Sequence, residues 1–217
     1  MKTDLTQALS TIRDEGRALG VDHLVSRNPT HVNYLTGCGV HSPGDAFILI
    51  TPSNIVLFSD KRYEGTIRRV IADNPLIQMF IWDGLHPWDD LLSFVEPGQR
   101  VGFEKTSQYT TYNVVSKLQE AADKRGATLI GIDDIVMNVR MIKSPAEIAL
   151  LQEAFKLSDD AFRYIMGQIS VGQTEIEIAQ ALNAYMRKVS GTDELAFATI
   201  VASGENGDTP HATATDR

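Results

Sequence analysis

Two hydrophobic periods alternate over residues 1–130. Leu5, Ala8, Leu9, Ile12 and Leu19 recur at helical spacing, and Gly20 offers a left-handed closing residue. His23-Leu24-Val25-Ser26 reads as a short strand stopped by Asn28-Pro29. Runs at 46–51 and 55–59 flank Pro52-Ser53-Asn54, the pattern of a hairpin. Helical character over 61–72 ends before Asn74-Pro75. A strand is expected at 77–82, a helix at 86–95 and a strand at 100–103. A helix through Val114, Val115, Leu118 and Ala121 stops at Gly126, and 127–130 resumes as a strand. Strands separated by helices predict an α/β domain with a mixed sheet of five or six strands, flanked by helices.

The pattern changes after a stretch at 131–144 that reads as a linker. Ser144-Pro145-Ala146-Glu147 is a capping box with proline at the first helical position. Ile148, Leu151, Phe155, Phe162 and Ile165 then draw one apolar stripe, predicting a long, half-buried helix that Gly172 caps. Thr174-Glu175-Ile176-Glu177 opens a second helix through Ile178, Leu182, Tyr185 and Met186, which ends at Gly191. Residues 197–202 read as a buried strand running into the loop Ser203-Gly204-Glu205-Asn206-Gly207. The division is therefore 1–130 as a first domain, 131–144 as linker, and 145–217 as the opening of a second.

Composition narrows the function. Hydrophobic content of 43% and charged content of 22% exclude a disordered, collagenous or coiled-coil chain. A net charge of −8 argues against a nucleic-acid or anionic-membrane surface, and no apolar stretch is long enough to span a bilayer. Cys38 is the single cysteine, so no internal disulfide or cysteine-based zinc site can form. With no secretory h-region at the start, the expectation is a cytoplasmic protein.

General catalytic motifs are absent: no HExxH, GxSxG or phosphate loop. Gly37-Cys38-Gly39-Val40-His41-Ser42 starts like a dinucleotide fingerprint but lacks its third glycine. Cys38 reads as a packed small residue. His23, His31, His41 and His86 are scattered and read as ordinary histidines. Arg62 and Tyr63 read as packing residues, and Glu153, Lys156 and Asp159 as a solvated helix face. Glu205, Asp208, His211 and Asp216 could be taken for a local metal cluster, yet acidic loops of this kind are usually only solvated.

The segment 197–211, ending in Asp208-Thr209-Pro210-His211, closely resembles the first half of the pita-bread fold of Xaa-Pro dipeptidases and aminopeptidases P. Arg140-Met141-Ile142-Lys143-Ser144 with Glu147, Gly172 with Thr174 and Glu177, and Thr215-Asp216-Arg217 share the resemblance. Upstream, Asn33-Tyr34-Leu35-Thr36-Gly37 and Asp60-Lys61-Arg62-Tyr63 look like motifs of that family's creatinase-like N-terminal domain.

The resemblance implies a creatinase-like domain followed by the first part of an α+β pita-bread domain. It also implies hydrolysis of the bond preceding proline in dipeptides or longer peptides. Two divalent metals are implied, manganese foremost and cobalt or zinc as substitutes. They would activate a hydroxide and stabilise the oxyanion. The family's metal ligands, two Asp, one His and two Glu, all lie downstream of the match to Pro210-His211. None can be carried onto this sequence, and they are expected beyond Arg217. What carries over is His211, implied as a catalytic and substrate-binding histidine that touches substrate or the tetrahedral intermediate. The chain alone is expected to be inactive, and the His211 loop to lack the sheet it should lean on.

The family also implies a homodimer in which one N-terminal domain leans over its partner's active site, making His41, His86 and Trp88 candidates for that cap. Two other readings stay open. One is a creatinase-type amidinohydrolase, which has the histidine without the metals; the other is a non-catalytic interaction module.

Overall fold

The computed structural model describes residues 5–39, 44–82 and 87–217. The chain divides into two compact units, Met1–Ser144 and Pro145–Arg217.

The first unit runs α1 (Leu5–Ala18), β1 (His23–Ser26), α2 (Pro29–Thr36), β2 (Ala46–Ile50), β3 (Ile55–Ser59), α3 (Glu64–Ile71) and β4 (Ile77–Ile81). It continues with α4 (Pro87–Leu92), β5 (Arg100–Glu104), α5 (Tyr112–Arg125), β6 (Thr128–Ile132) and α6 (Ile135–Met141). The strands form one six-stranded mixed sheet in the order β4-β3-β2-β1-β5-β6. The β2–β3 hairpin and the β1–β2 pair are antiparallel; β3–β4, β1–β5 and β5–β6 are parallel. Every residue of β2 and β3 is buried, because helices cover both faces of the sheet. Strand alternation sends Ile48, Ile50, Ile55 and Leu57 to the face packed by α1, α2, α3 and α6. Phe47, Leu49, Val56 and Phe58 go to the face packed by α4 and α5. The predicted sheet is thus present, with six strands.

Two helices were not expected. Asn28-Pro29 reads as a stop, but Asn28 caps α2 by accepting from Thr30 N, and Pro29 takes the first helical turn. Residues 131–144, read as linker, contain the end of β6 and then α6. Asp134 caps α6 through Met137 N, and Ile135 and Val136 are buried in the first unit's core. An apolar pair behind an N-cap is enough to draw the segment down.

The second unit consists of α7 (Pro145–Met166), α8 (Glu175–Ser190) and a 3-10 turn at Gly204–Asp208. The capping box of α8 forms as the sequence implies: Thr174 accepts from Glu177 N, Glu177 accepts from Thr174 N, and Gly191 closes the helix at φ 70. Helix α7 ends at Met166, so Gly172, at φ 100, shapes the following turn rather than capping that helix. Most of its stripe is exposed rather than half-buried: Phe155 and Phe162 are each 64% exposed, and of the stripe only Ile165 is buried. Tyr164 and Tyr185 stack at 4.1 Å and hold α7 to α8. Residues 197–202 form no strand, since a strand needs a neighbour to complete its backbone bonds and none is present among the described residues of this unit.

Candidate functional site

His211 sits at the tip of a loop built on the start of helix α8. The first amides of any helix lack intrahelical acceptors, and here each of the first three finds one. Glu175 N donates to Arg217 O at 2.9 Å and Ile176 N to Thr215 O at 3.1 Å, while Glu177 N donates to the Thr174 hydroxyl at 3.2 Å. The segment 215–217 is thereby docked on the helix end.

The Glu175 side chain, only 2% exposed, gathers the rest of the loop. Its Oε1 accepts from Ser203 N at 2.6 Å, Ser203 Oγ at 3.0 Å and Asn206 Nδ2 at 3.2 Å. Its Oε2 accepts from Thr215 Oγ1 at 2.7 Å, Thr215 N at 3.0 Å and Asn206 Nδ2 at 3.0 Å. The Thr215 hydroxyl, followed by its amide, holds this carboxyl down at a pKa of about 2 against the opposing effect of burial; Ser203 and Asn206 add to the depression. One carboxylate therefore ties both ends of residues 203–215 together.

Between those ends the backbone turns sharply. Ala212 N donates to Thr209 O at 3.2 Å, closing a turn with Pro210 second and His211 third. His211 has φ 58 and is the one non-glycine residue with positive φ among those described. Proline followed by a left-handed residue is the arrangement of a type II turn, where glycine is usual. A histidine there carries strain that the surrounding bonds must hold, and such outliers cluster at functional sites. Its imidazole is exposed, free to donate a hydrogen bond or exchange a proton with a bound group. No strand of the second unit stands beside this loop among the described residues, and α8 and Glu175 brace it instead.

In the sequence Glu175 stands out only as part of the capping box Thr174-Glu175-Ile176-Glu177, which marks a helix start and not a site. A usable clue was present. Glu175 lies one turn before Ile178 and Ala179 and two before Leu182, putting a charge on the helix's apolar face.

The other candidates resolve individually. Glu205 pairs with Arg217 at 3.5 Å, and Glu205, Asp208, His211 and Asp216 do not form a metal-ready group among the described residues. The three-ligand grouping that does occur is His31, Glu104 and Asp134, with ligand atoms within 4.8 Å of one another. His31 is fully buried. Its Nδ1 meets Glu104 at 2.9 Å and Ser26 at 3.2 Å, and its Nε2 meets Asn28 at 3.2 Å and Asp134 at 3.5 Å. Both ring nitrogens are committed to neighbours, the condition of a satisfied core histidine. His23 is also buried, facing Gln99 at 2.9 Å. Cys38 is buried, and burial pushes its thiol pKa up, as expected of a packed residue rather than a nucleophile.

Arg62 forms ion pairs with Asp60 at 2.6 Å and Asp45 at 3.4 Å, and its hydrogen bond holds the Asp60 carboxyl below its usual range. Arg62 is nevertheless 70% exposed, so it ties surface loops rather than packing the core. Trp88 stacks on Phe47 at 5.0 Å with Arg27 over its ring. His41 and His86 lie outside the described residues. Glu153, Lys156 and Asp159 are exposed. No helix among the described residues is long and apolar enough to cross a membrane.

The implied metal pair does not fit the side chains of the second unit. Its one buried carboxylate is saturated by hydrogen bonds, and His211 stands without a second ligand. No reaction step is therefore assigned to a metal held by these residues.

Comparison with known proteins places both units. Residues 9–142 match the family model of the creatinase/prolidase N-terminal domain, and residues 149–217 match metallopeptidase family M24. The chain is 31% identical over 210 residues to the uncharacterized peptidase YqhT of Bacillus subtilis, covering 96% of this chain and 56% of that one. It is 25% identical over 198 residues to an Xaa-Pro dipeptidase of Pyrococcus furiosus, covering 91% and 52%. Among solved structures, an Xaa-Pro dipeptidase from Bacillus anthracis superposes with a TM-score of 0.80 at 26% identity, over 99% of this chain and 57% of that one. An X-Pro aminopeptidase from Thermotoga maritima gives 0.73 at 28%, over 94% and 56%. The chain spans about half the length of the curated relatives it matches.

Proposed function

The chain belongs to the creatinase/prolidase family of metallopeptidases, and from that premise we propose that it serves hydrolysis of the peptide bond preceding proline, in dipeptides or short peptides. The observation that carries this reading is His211, held left-handed and exposed on a braced loop inside the segment that matches family M24. In this reading the imidazole donates a hydrogen bond to the scissile carbonyl oxygen as it gains charge, or holds the substrate carboxylate. Two divalent metals, manganese foremost with cobalt or zinc as alternatives, supply the activated water when bound. Their ligands come from sequence following Arg217, and the 217-residue chain by itself neither binds the pair nor turns over substrate.

The same reading makes the protein a cytoplasmic homodimer, with His41, His86 or Trp88 as the candidates to reach a partner's active site. The single cysteine agrees with a reducing compartment.

The test compares the 217-residue chain with one extended by the downstream segment that the relatives carry. Elemental analysis and proline release from Ala-Pro are measured on both. The extended chain should bind metal and release proline, and His211→Ala should lower its turnover roughly 100-fold, the scale of losing one transition-state hydrogen bond. Stoichiometric metal with turnover in the 217-residue chain would show that the site is misplaced. Creatine hydrolysis in place of proline release would assign the amidinohydrolase reading, and neither activity the interaction module.

A further inference from the structure

We propose that Glu175 is a positioning residue for His211: its carboxylate is the anchor that holds residues 203–215 in the conformation presenting the imidazole. This rests on the reading of His211 given above.

The argument begins with the geometry of acceptance. A carboxylate offers about four lone-pair sites on two oxygens and no donor. Glu175 receives five distinct donor groups: Ser203 N, Ser203 Oγ, Asn206 Nδ2, Thr215 N and Thr215 Oγ1. Two lie at the start of the loop, one in its 3-10 turn and two at its end. Cutting either end would leave His211 on a flexible tether. Such a tether does not sustain φ 58 at a histidine, since a left-handed non-glycine residue persists only where its surroundings over-determine it. Nor would the short turn closed by Ala212 N and Thr209 O suffice alone.

The carboxylate is also hard to replace. Glutamine has nearly the same shape but presents one oxygen and one NH2 group. Whichever way the amide turns, its hydrogens face either the Ser203 donors or the Thr215 donors, and one end of the loop is released. No isosteric neutral side chain can satisfy both ends at once. A merely structural buried glutamate would tolerate this swap with a general loss of stability. A positioning residue passes the loss to His211 specifically.

The experiment uses Glu175→Gln, with Thr215→Val as a milder variant that deletes one donor and keeps the carboxylate. In the 217-residue chain, amide exchange at Ser203 and Thr215 should speed up on the order of 10- to 100-fold, the scale of losing charge-assisted hydrogen bonds. The near-ultraviolet signal of the Tyr164–Tyr185 stack should stay unchanged, reporting that α7 and α8 remain packed. Thr215→Val should give a smaller acceleration confined to the end of the loop.

In the extended chain, Glu175→Gln should cut kcat about 10-fold or more in the parent, yet cut nothing further in a His211→Ala background, because the two residues act as one unit. Equal losses in both backgrounds would mean a general structural role and would overturn the proposal. So would Ser203 and Thr215 amides as protected in Glu175→Gln as in the parent. Full turnover in His211→Ala would remove His211 from the reaction and the positioning role with it. The exchange arm separates that outcome from failure of the anchor itself.

Discussion

The two units differ in what sits at their centres. In the first, all ten positions of β2 and β3 are buried, and Phe58 is fully enclosed by Phe47, Phe80 and Phe94 at ring distances of 5.0–5.6 Å. In the second, the buried residues of its two helices are Ala161, Ile165, Glu175 and Ala179, and the most heavily bonded of them is a carboxylate. The first unit is held by apolar surface removed from water, roughly 25 cal/mol per Å2. The second holds its functional loop by charge-assisted hydrogen bonds. Hydrophobic burial is non-directional and makes a rigid platform, whereas a hydrogen-bonded staple is directional and can set one side chain's orientation.

The largest expected effect tests the apolar side of this contrast. Phe58→Ala should destabilise the first unit by about 3–5 kcal/mol, the usual cost of emptying a fully packed aromatic site. Urea titration should show it as a lower midpoint for the first unit, with exchange at Ser203 and Thr215 unaffected. A cost below about 1 kcal/mol would mean that the core is not close-packed there.

Acid tests the polar side. The Glu175 carboxyl titrates at about 2 in the folded unit, below its usual 4.5. A depressed carboxylate stabilises the folded form fully above its unfolded pKa and loses that contribution as protons bind. The staple is therefore intact above about pH 4.5 and fails progressively as pH falls toward 2. Amide exchange at Ser203 and Thr215, corrected for intrinsic rates, should show protection falling in that window. Protection that is flat down to pH 2 would show that the charge is not what holds the loop.

The contrast also explains what the sequence reveals. The β2–β3 hairpin is legible because both faces of each strand are covered, leaving continuous apolar runs around Pro52-Ser53-Asn54. The caps of α8 are legible because they are local chemistry within a few residues. Helix α2 was hidden because Asn28-Pro29 serves equally as a stop and as a start, and only tertiary burial of Val32 and Leu35 decides between them. Helix α6 was hidden by its short length. Residues 197–202 have strand composition, but backbone pairing is non-local and composition cannot supply a neighbour. Likewise His211 is marked by its motif, whereas Glu175 depends on Ser203, Asn206 and Thr215, far along the chain, folding back onto it.

A smaller effect tests whether the α8 start is a platform in its own right. Thr174→Ala removes the side chain that accepts from Glu177 N. The expected cost is about 1 kcal/mol, as for other N-cap hydroxyls. It should appear as faster exchange at Glu177 and at the docked segment 215–217, with the first unit's midpoint unmoved. If exchange at 215–217 does not change, that segment is held by Glu175 alone.

The smallest effect is the sharpest form of the comparison, because it repeats the first substitution at the same residue type in the other unit. Phe155 lies on the stripe of α7 and is 64% exposed, against none of Phe58. Its ring has little packing to lose, and alanine is the better helix former by roughly half a kcal/mol. Phe155→Ala should therefore be neutral to slightly stabilising in dilute, monomeric protein. At higher concentration an exposed stripe of this kind draws chains together. The same substitution should then weaken self-association, seen by sedimentation as a shift toward monomer. A cost above about 2 kcal/mol in dilute protein would mean that Phe155 is buried within its own chain, and the contrast between the two units would fail.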